Sequence, residues 1–160
     1  MNPEIRDLPE MIVHYATARG SINQDFTLAA NKAFEVLCSY VEKNRLGSQI
    51  RLCLGISPDD PDIISVDQLR YEAGFVFKAG INPPATADVK VKVIPAGRYA
   101  VFLHQGPYST LWQAWNAIYR DWLPGSGKEL RDEAPFEIYL DDKTKTKVDK
   151  LRTEICVPIK

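Results

Sequence analysis

The sequence predicts an α+β fold built from a repeated strand–helix–strand–strand unit. Two observations carry this. Apolar spacing switches between a period of two and a period near 3.6 in the same order in both halves of the chain. Residue landmarks also match between the halves at near-constant offsets. A shift of 86 places Leu8-Pro9 on Ile94-Pro95, Gly20 on Gly106 and Phe26 on Trp112. A shift of 82 places Asp59-Asp60 on Asp141-Asp142, Leu69-Arg70 on Leu151-Arg152 and Glu72 on Glu154. The expectation is a single domain over residues 1–160, with repeat 1 at 1–78, a linker at 79–88 and repeat 2 at 89–160. Two such units related by a pseudo-two-fold bury the free faces of their antiparallel sheets against each other, with helices outside and a ligand cleft along the axis.

The elements follow in order. Ile5 to Thr17 is apolar and β-branched and reads as one strand ending at Gly20. Asn23 or Asp25 caps a helix on which Phe26, Ala30, Ala33, Leu37 and Val41 recur at helical spacing to about Asn44. Leu46-Gly47 stops it. Ile50 to Ile56 is a short strand, and the proline- and aspartate-rich segment from Ser57 to Asp62 is a loop. Leu69 to Phe77 alternates as a strand. After the linker, with Gly80, Pro83 and Pro84, Val91 to His104 is a strand ending at Gly106-Pro107. A helix carries Leu111, Trp112, Trp115, Ile118, Tyr119 and Trp122 and breaks at Pro124-Gly125. Phe136 to Leu140 is a strand, Asp141 to Lys150 a charged loop, and Leu151 to Ile159 a last strand.

Composition narrows the function. Twenty Lys and Arg against 21 Asp and Glu give a net charge of −1, which offers no field for direct nucleic-acid binding or an anionic membrane. No apolar run reaches the roughly 20 residues of a membrane span, and the N-terminus lacks the order of a signal peptide. The cytoplasm is the expected compartment. Cys38, Cys53 and Cys156 read as reduced, buried thiols. No nucleotide loop, paired-cysteine or zinc-helix motif occurs, and neither a metal nor a cofactor is expected.

Glu137 is the candidate of most interest. In Phe136-Glu137-Ile138-Tyr139-Leu140, strand alternation puts Glu137 and Tyr139 on one face and Phe136, Ile138 and Leu140 on the other. That face lies either in water or in the cleft. In the cleft, a carboxylate among aromatic rings attracts a cation, and burial raises its pKa toward that of a base working near neutrality. Arg70 with Glu72 and Arg152 with Glu154 share strand faces, as structural ion pairs or as ligand contacts. The Trp112-Trp115-Trp122 stripe reads as helix core, with Trp112 also available to a ligand at the cleft edge.

At these residues the sequence resembles the GyrI-like small-molecule-binding domains. The matching stretches are Ile94 to Val101, His104-Gln105-Gly106-Pro107-Tyr108, Ala114-Trp115 with Trp122-Leu123-Pro124, and Phe136 to Leu140. In the first half they are Asp59-Asp60-Pro61 and Leu69 to Glu72. The resemblance implies two tandem βαββ units around a central cleft, with Glu137 meeting cationic aromatic ligands there. Tyr139, Tyr71, Trp112, Tyr99 and Phe102 are carried as further ligand-contacting candidates. It also implies a stand-alone binding protein, since Met1 to Ser21 leaves no room for a helix-turn-helix ahead of the first helix. Three functions remain open. The first is a module that senses or sequesters amphipathic, cationic aromatic compounds. The second is a hydrolase of cyclopropane-type electrophiles with Glu137 as catalytic base. The third is a gyrase-inhibitor-like module whose partner is DNA gyrase or a regulator protein.

Overall fold

The computed structural model describes residues 1–22 and 25–160; Asn23, one of the two expected helix caps, lies outside them. The elements are β1 (Glu4–Leu8), β2 (Met11–Arg19), α1 (Thr27–Lys43), β3 (Ile50–Ile56), β4 (Arg70–Phe77), β5 (Lys90–Ile94), β6 (Gly97–Gln105), α2 (Leu111–Ala117), β7 (Phe136–Tyr139) and β8 (Arg152–Pro158). The two long strands expected at the start of each half are therefore each broken in two, at Pro9-Glu10 and at Pro95-Ala96. Proline has no N–H to give a ladder and fixes its own φ, so a strand run containing one breaks or sits at an edge. Here the break sends the two pieces to different halves. β1 pairs with β6, and β5 pairs with β2.

All eight strands form one antiparallel sheet in the order β1-β6-β8-β7-β3-β4-β2-β5. Exchanging β1 with β5, β2 with β6, β3 with β7 and β4 with β8 reverses this order, so it reads the same from either edge. The sheets of the two halves join edge to edge rather than packing face to face. The seam is β3 on β7, with Leu54 opposite Ile138, Gly55 opposite Glu137 and Ile56 opposite Phe136. This pairing satisfies the N–H and C=O groups that two separate sheets would leave open at those edges.

Both helices lie on one face of the sheet. Tyr71, Ala73, Phe75 and Phe77 of β4 pack under Ala29, Ala33, Leu37 and Tyr40 of α1. Phe102, Ile155 and Val157 pack under Leu111 and Ala114 of α2 and Ile118. The opposite face holds its own core, including Val13, Leu54, Ile56, Tyr99, Val101 and Phe136. Among the described residues no helical one contributes to that cluster, so the sheet buries this face by curling on itself. Asp25 caps α1 from outside, its Oδ1 accepting the Thr27 N–H at 2.9 Å. α2 runs on through a π-helical turn (Ile118–Trp122) and a last α turn (Leu123–Ser126). Pro124 cannot donate to the Arg120 carbonyl, which removes an i→i−4 bond where the turn widens.

Local details repeat between the halves. Gly20 and Gly106 close β2 and β6 with φ of 103° and 143°, and their N–H groups donate to Leu69 O and Leu151 O, each at 2.8 Å. Asp59 accepts the Arg70 N–H at 2.9 Å and its guanidinium at 2.7 Å. Asp141 does the same for Arg152, at 2.8 Å and 2.8 Å. Arg6 of β1 pairs with Glu154 of β8 at 2.6 Å, and Lys92 of β5 pairs with Glu72 of β4. Phe26 and Trp112 do not follow this pattern: Phe26 precedes α1, whereas Trp112 is the second residue of α2. The segment at 79–88 is strapped to the first half, because the Tyr40 hydroxyl donates to Pro84 O at 2.7 Å and His14 Nε2 bonds Pro83 O at 2.7 Å. No cysteine of the three is in a disulfide, and Cys38 is exposed rather than buried as expected, while Cys156 is buried. Among the described residues no helix is long and apolar enough to cross a membrane.

Candidate functional site

An open cleft of about 2460 Å³ lies between α1 and α2, floored by β3, β4 and β7. It exceeds the roughly 300–1,000 Å³ of an enclosed drug-sized pocket, so it is a trough with a wide mouth. Strand alternation decides what enters it. On β7, Phe136 and Ile138 point into the curled core, which leaves Glu137 and Tyr139 on the helix side. On β4 the same rule puts Tyr71 on the helix side, and on β3 it puts Cys53 and Gly55 there.

Glu137 sits at the centre of this floor. Its Oε1 accepts the indole N–H of Trp115 at 2.6 Å, and its Oε2 accepts the Tyr139 hydroxyl at 2.6 Å. Since Tyr139 has spent its one proton on the carboxylate, Tyr71 donates to Tyr139, at 2.6 Å. Three side chains from two strands thus form one directed chain, Tyr71 of β4 to Tyr139 to Glu137 of β7, closed by Trp115 of α2. Rings pack around it: Phe34 of α1 lies 6.1 Å from the Tyr139 ring and Tyr108 lies 5.2 Å from it, centroid to centroid. Trp115 and Tyr119 stack nearly parallel, at 6.0 Å and 10°, along the α2 wall.

Burial raises the pKa of Glu137, and the bonds from Tyr139 and Trp115 offset part of that rise. No Lys, Arg or His nitrogen among the described residues lies within 4.0 Å of its carboxylate. Burial likewise pushes the phenols of Tyr71 and Tyr139 well above their ordinary value, and that of Tyr108 to about 12. The phenols therefore stay protonated and act as donors across the physiological range.

The structure brings together three of the residues singled out in the sequence, Glu137, Tyr139 and Tyr71. Trp112 stands at the cleft rim, 37% exposed. Tyr99 and Phe102 are not in the cleft. Tyr99 is fully buried on the opposite face, with its ring 5.4 Å from Phe136 and the Arg131 guanidinium over it at 4.8 Å. Phe102 is buried beneath the second helix, edge-on to Trp122 at 5.0 Å. Tyr99 shares strand phase with Val101, which faces the curled core, so the aromatic character of that strand gave no clue to its side. Sequence reading missed Trp115, assigned to the helix core. It also did not single out Phe34, Tyr108 or Gly55 for the cleft, although Tyr108 lies in the His104 to Tyr108 stretch that carries the resemblance and Gly55 is a lone glycine inside a strand.

A family model described as a GyrI-like small molecule binding domain matches residues 1–160. The SPbeta prophage-derived protein YosT of Bacillus subtilis (strain 168), which bears a transcriptional-regulator name, is 28% identical over 161 residues, covering 99% of each chain. A DNA gyrase inhibitor of Erwinia billingiae (strain Eb661) is 24% identical over 143 residues, covering 89% of this chain and 88% of that protein. Among solved structures, the C-terminal domain of EcmrR matches with a TM-score of 0.75 at 18% identity, covering 99% of this chain and 97% of that one. SAV2435 bound to tetraphenylphosphonium matches with a TM-score of 0.64 at 18% identity, covering 100% and 94%. At these identities the two structures share the fold.

Proposed function

This chain belongs to the family of GyrI-like small molecule binding domains, and on that premise we propose that it senses or sequesters amphipathic aromatic cations, with the charge held at Glu137. The observation that carries the reading is a carboxylate on the cleft floor with two hydrogen-bond donors and, among the described residues, no cationic partner. Two neutral donors offset only part of the cost of removing a carboxylate from water. A cation whose charge is shielded by aromatic groups is cheap to desolvate and supplies what the site lacks. The rings of Tyr139, Tyr108 and Trp115 add cation–π attraction of about 0.5–2 kcal/mol. That SAV2435, a protein of the same fold, is bound to tetraphenylphosphonium supports this ligand class. The regulator and gyrase-inhibitor names of the relatives support a protein partner, a regulator or DNA gyrase.

The test is a titration of tetraphenylphosphonium and of neutral triphenylphosphine oxide, read by tryptophan fluorescence. Glu137→Gln weakens the cation by about ten- to a hundredfold, the equivalent of a charge-assisted contact of roughly 1.5–3 kcal/mol, and leaves the neutral compound nearly unchanged. Equal affinity of both proteins for the cation rejects the reading. A second reading rests on the Tyr71–Tyr139–Glu137 chain: addition of water to a strained ring, with Glu137 as base and a tyrosine as acid. Ring-opened product from a cyclopropane alkylator, lost in Glu137→Gln, supports it; recovery of intact compound rejects it.

A further inference from the structure

Gly55 and Glu137 face each other across the seam of the sheet. The shift of 82 that places Asp59 on Asp141 and Arg70 on Arg152 also places Gly55 on Glu137. The two halves thus carry a glycine and a glutamate at the same place, beside each other. The backbone of Gly55 is not in the left-handed region, so conformational freedom does not call for glycine here. Space does. A Cβ at this position would lie 2.5 Å from the Tyr71 hydroxyl, 3.0 Å from Cζ of Tyr139 and closer still to the Tyr139 hydroxyl. The two hydroxyls meet over the bare backbone of β3.

We propose that Gly55 is the positioning residue of the cleft: its missing side chain lets Tyr71 and Tyr139 converge, and that convergence fixes the Tyr139 hydroxyl as the donor to Oε2 of Glu137. A methyl group at residue 55 displaces both hydroxyls and leaves the carboxylate with the Trp115 bond alone. A bond to the charged form of an acid favours that form, so its loss raises the pH at which Glu137 ionises. The polar groups facing Glu137 are Trp115 from the second helix, Tyr139 from its own strand, Tyr71 from β4 and Tyr108 from the segment after β6. Cys53 of β3 and Cys156 of β8 are the nearby thiols, both pushed up to about 12 by burial. The phenols and thiols among them titrate far above the carboxylate range, so the step that Glu137→Gln removes is the one assigned to Glu137.

The experiment is a pH titration of tryptophan fluorescence in the ligand-free protein. The step present in wild type and absent in Glu137→Gln reports the acid through Trp115. Gly55→Ala moves that step upward by about one pH unit, as expected for a lost bond to a charged group. Tyr139→Phe moves it in the same direction by a similar amount. In a Tyr71→Phe/Tyr139→Phe background, where the hydroxyls are gone, Gly55→Ala adds no further shift and costs less thermal stability than it does alone. An unmoved step in folded Gly55→Ala, or an equal shift in the double-Phe background, overturns the proposal. If Gly55→Ala does not fold, the triple variant decides: folding supports the freed-space account, and failure to fold overturns it. Only the ligand consequence, weaker tetraphenylphosphonium binding in Gly55→Ala near pH 7, rests on the cation-binding reading. A wild type that ignores the cation rejects that reading while the proton titration still tests Gly55.

Discussion

At the scale of single residues, Glu137 is costly to its own fold, and the proposed function draws on the same lack of a cationic partner. Burial holds its proton more tightly in the native state than in the unfolded chain, whose glutamates titrate near 4.3. The native state then binds more protons between the unfolded and folded values, so stability falls as pH rises through that window. Glu137→Gln is expected to melt higher than wild type near pH 8, by about 2–4 °C for a gain of roughly 1 kcal/mol, with the gap closing toward pH 4. Melts of both proteins at the two pH values check this. If Glu137 holds the cation as proposed, affinity for tetraphenylphosphonium is expected to run the other way and climb as pH passes upward through the same folded value. Strand phase alone placed Glu137 and Tyr139 on one face in the sequence. It did not say which face the helices cover, and this is why Tyr99 was counted in and Trp115 out. Helical spacing puts Trp112, Trp115 and Trp122 on a broad stripe without separating the indole that reaches the carboxylate from those that stay in the core or at the rim.

At the scale of elements, the informative residues are Pro9 and Pro95. Each lies in a stretch that otherwise reads as one long strand, and each divides it into a piece for its own half and a piece for the other. The sequence contains the breaks, but pairing of β1 with β6 spans most of the chain and leaves no local pattern. The ion pairs follow the exchange: Arg6 on β1 reaches Glu154, and Lys92 on β5 reaches Glu72. Read as a surface ladder, Glu72 would be nearly dispensable. It is in fact 3% exposed, and Lys92 also lies over the Tyr15 ring at 4.5 Å. Glu72→Gln is therefore expected to cost about 1–3 kcal/mol, above the range of a surface pair, because the buried negative charge that pairs with the Lys92 amine is lost. Urea unfolding measures it; a cost below about 0.5 kcal/mol returns the pair to a surface role.

At the scale of the whole molecule, neither half owns all of its sheet. Residues 1–78 lack β5 to cover the edge of β2, and residues 89–160 lack β1 to cover that of β6. Expressed alone, each fragment is expected to lack a cooperative transition, while the full chain unfolds in one step seen alike by near- and far-ultraviolet circular dichroism. Two separate transitions in the full chain would show that the halves are independent. The α+β class was legible because the order of apolar periodicities and the matching landmark residues point to strands and helices alternating in both parts of the chain. The edge-to-edge seam was not legible, because backbone pairing at β3 and β7 is indifferent to which side chains it joins.

The exchange of first strands also sets a timetable for biosynthesis. β1 leaves the ribosome first, yet its partner begins at Gly97, and Glu4 waits for Val101. At about 5–20 residues per second, that wait is roughly 5–20 s. Through it the nascent first half has β2 and β4 to pair with each other, but nothing to cover the outer edge of β2 until β5 follows. Sheet closure is thus deferred until the second half emerges, and the cleft, whose acid is at residue 137, exists only once translation is nearly complete. Nascent chains stalled before that point are the ones that have most to gain from a chaperone that shields open strand edges.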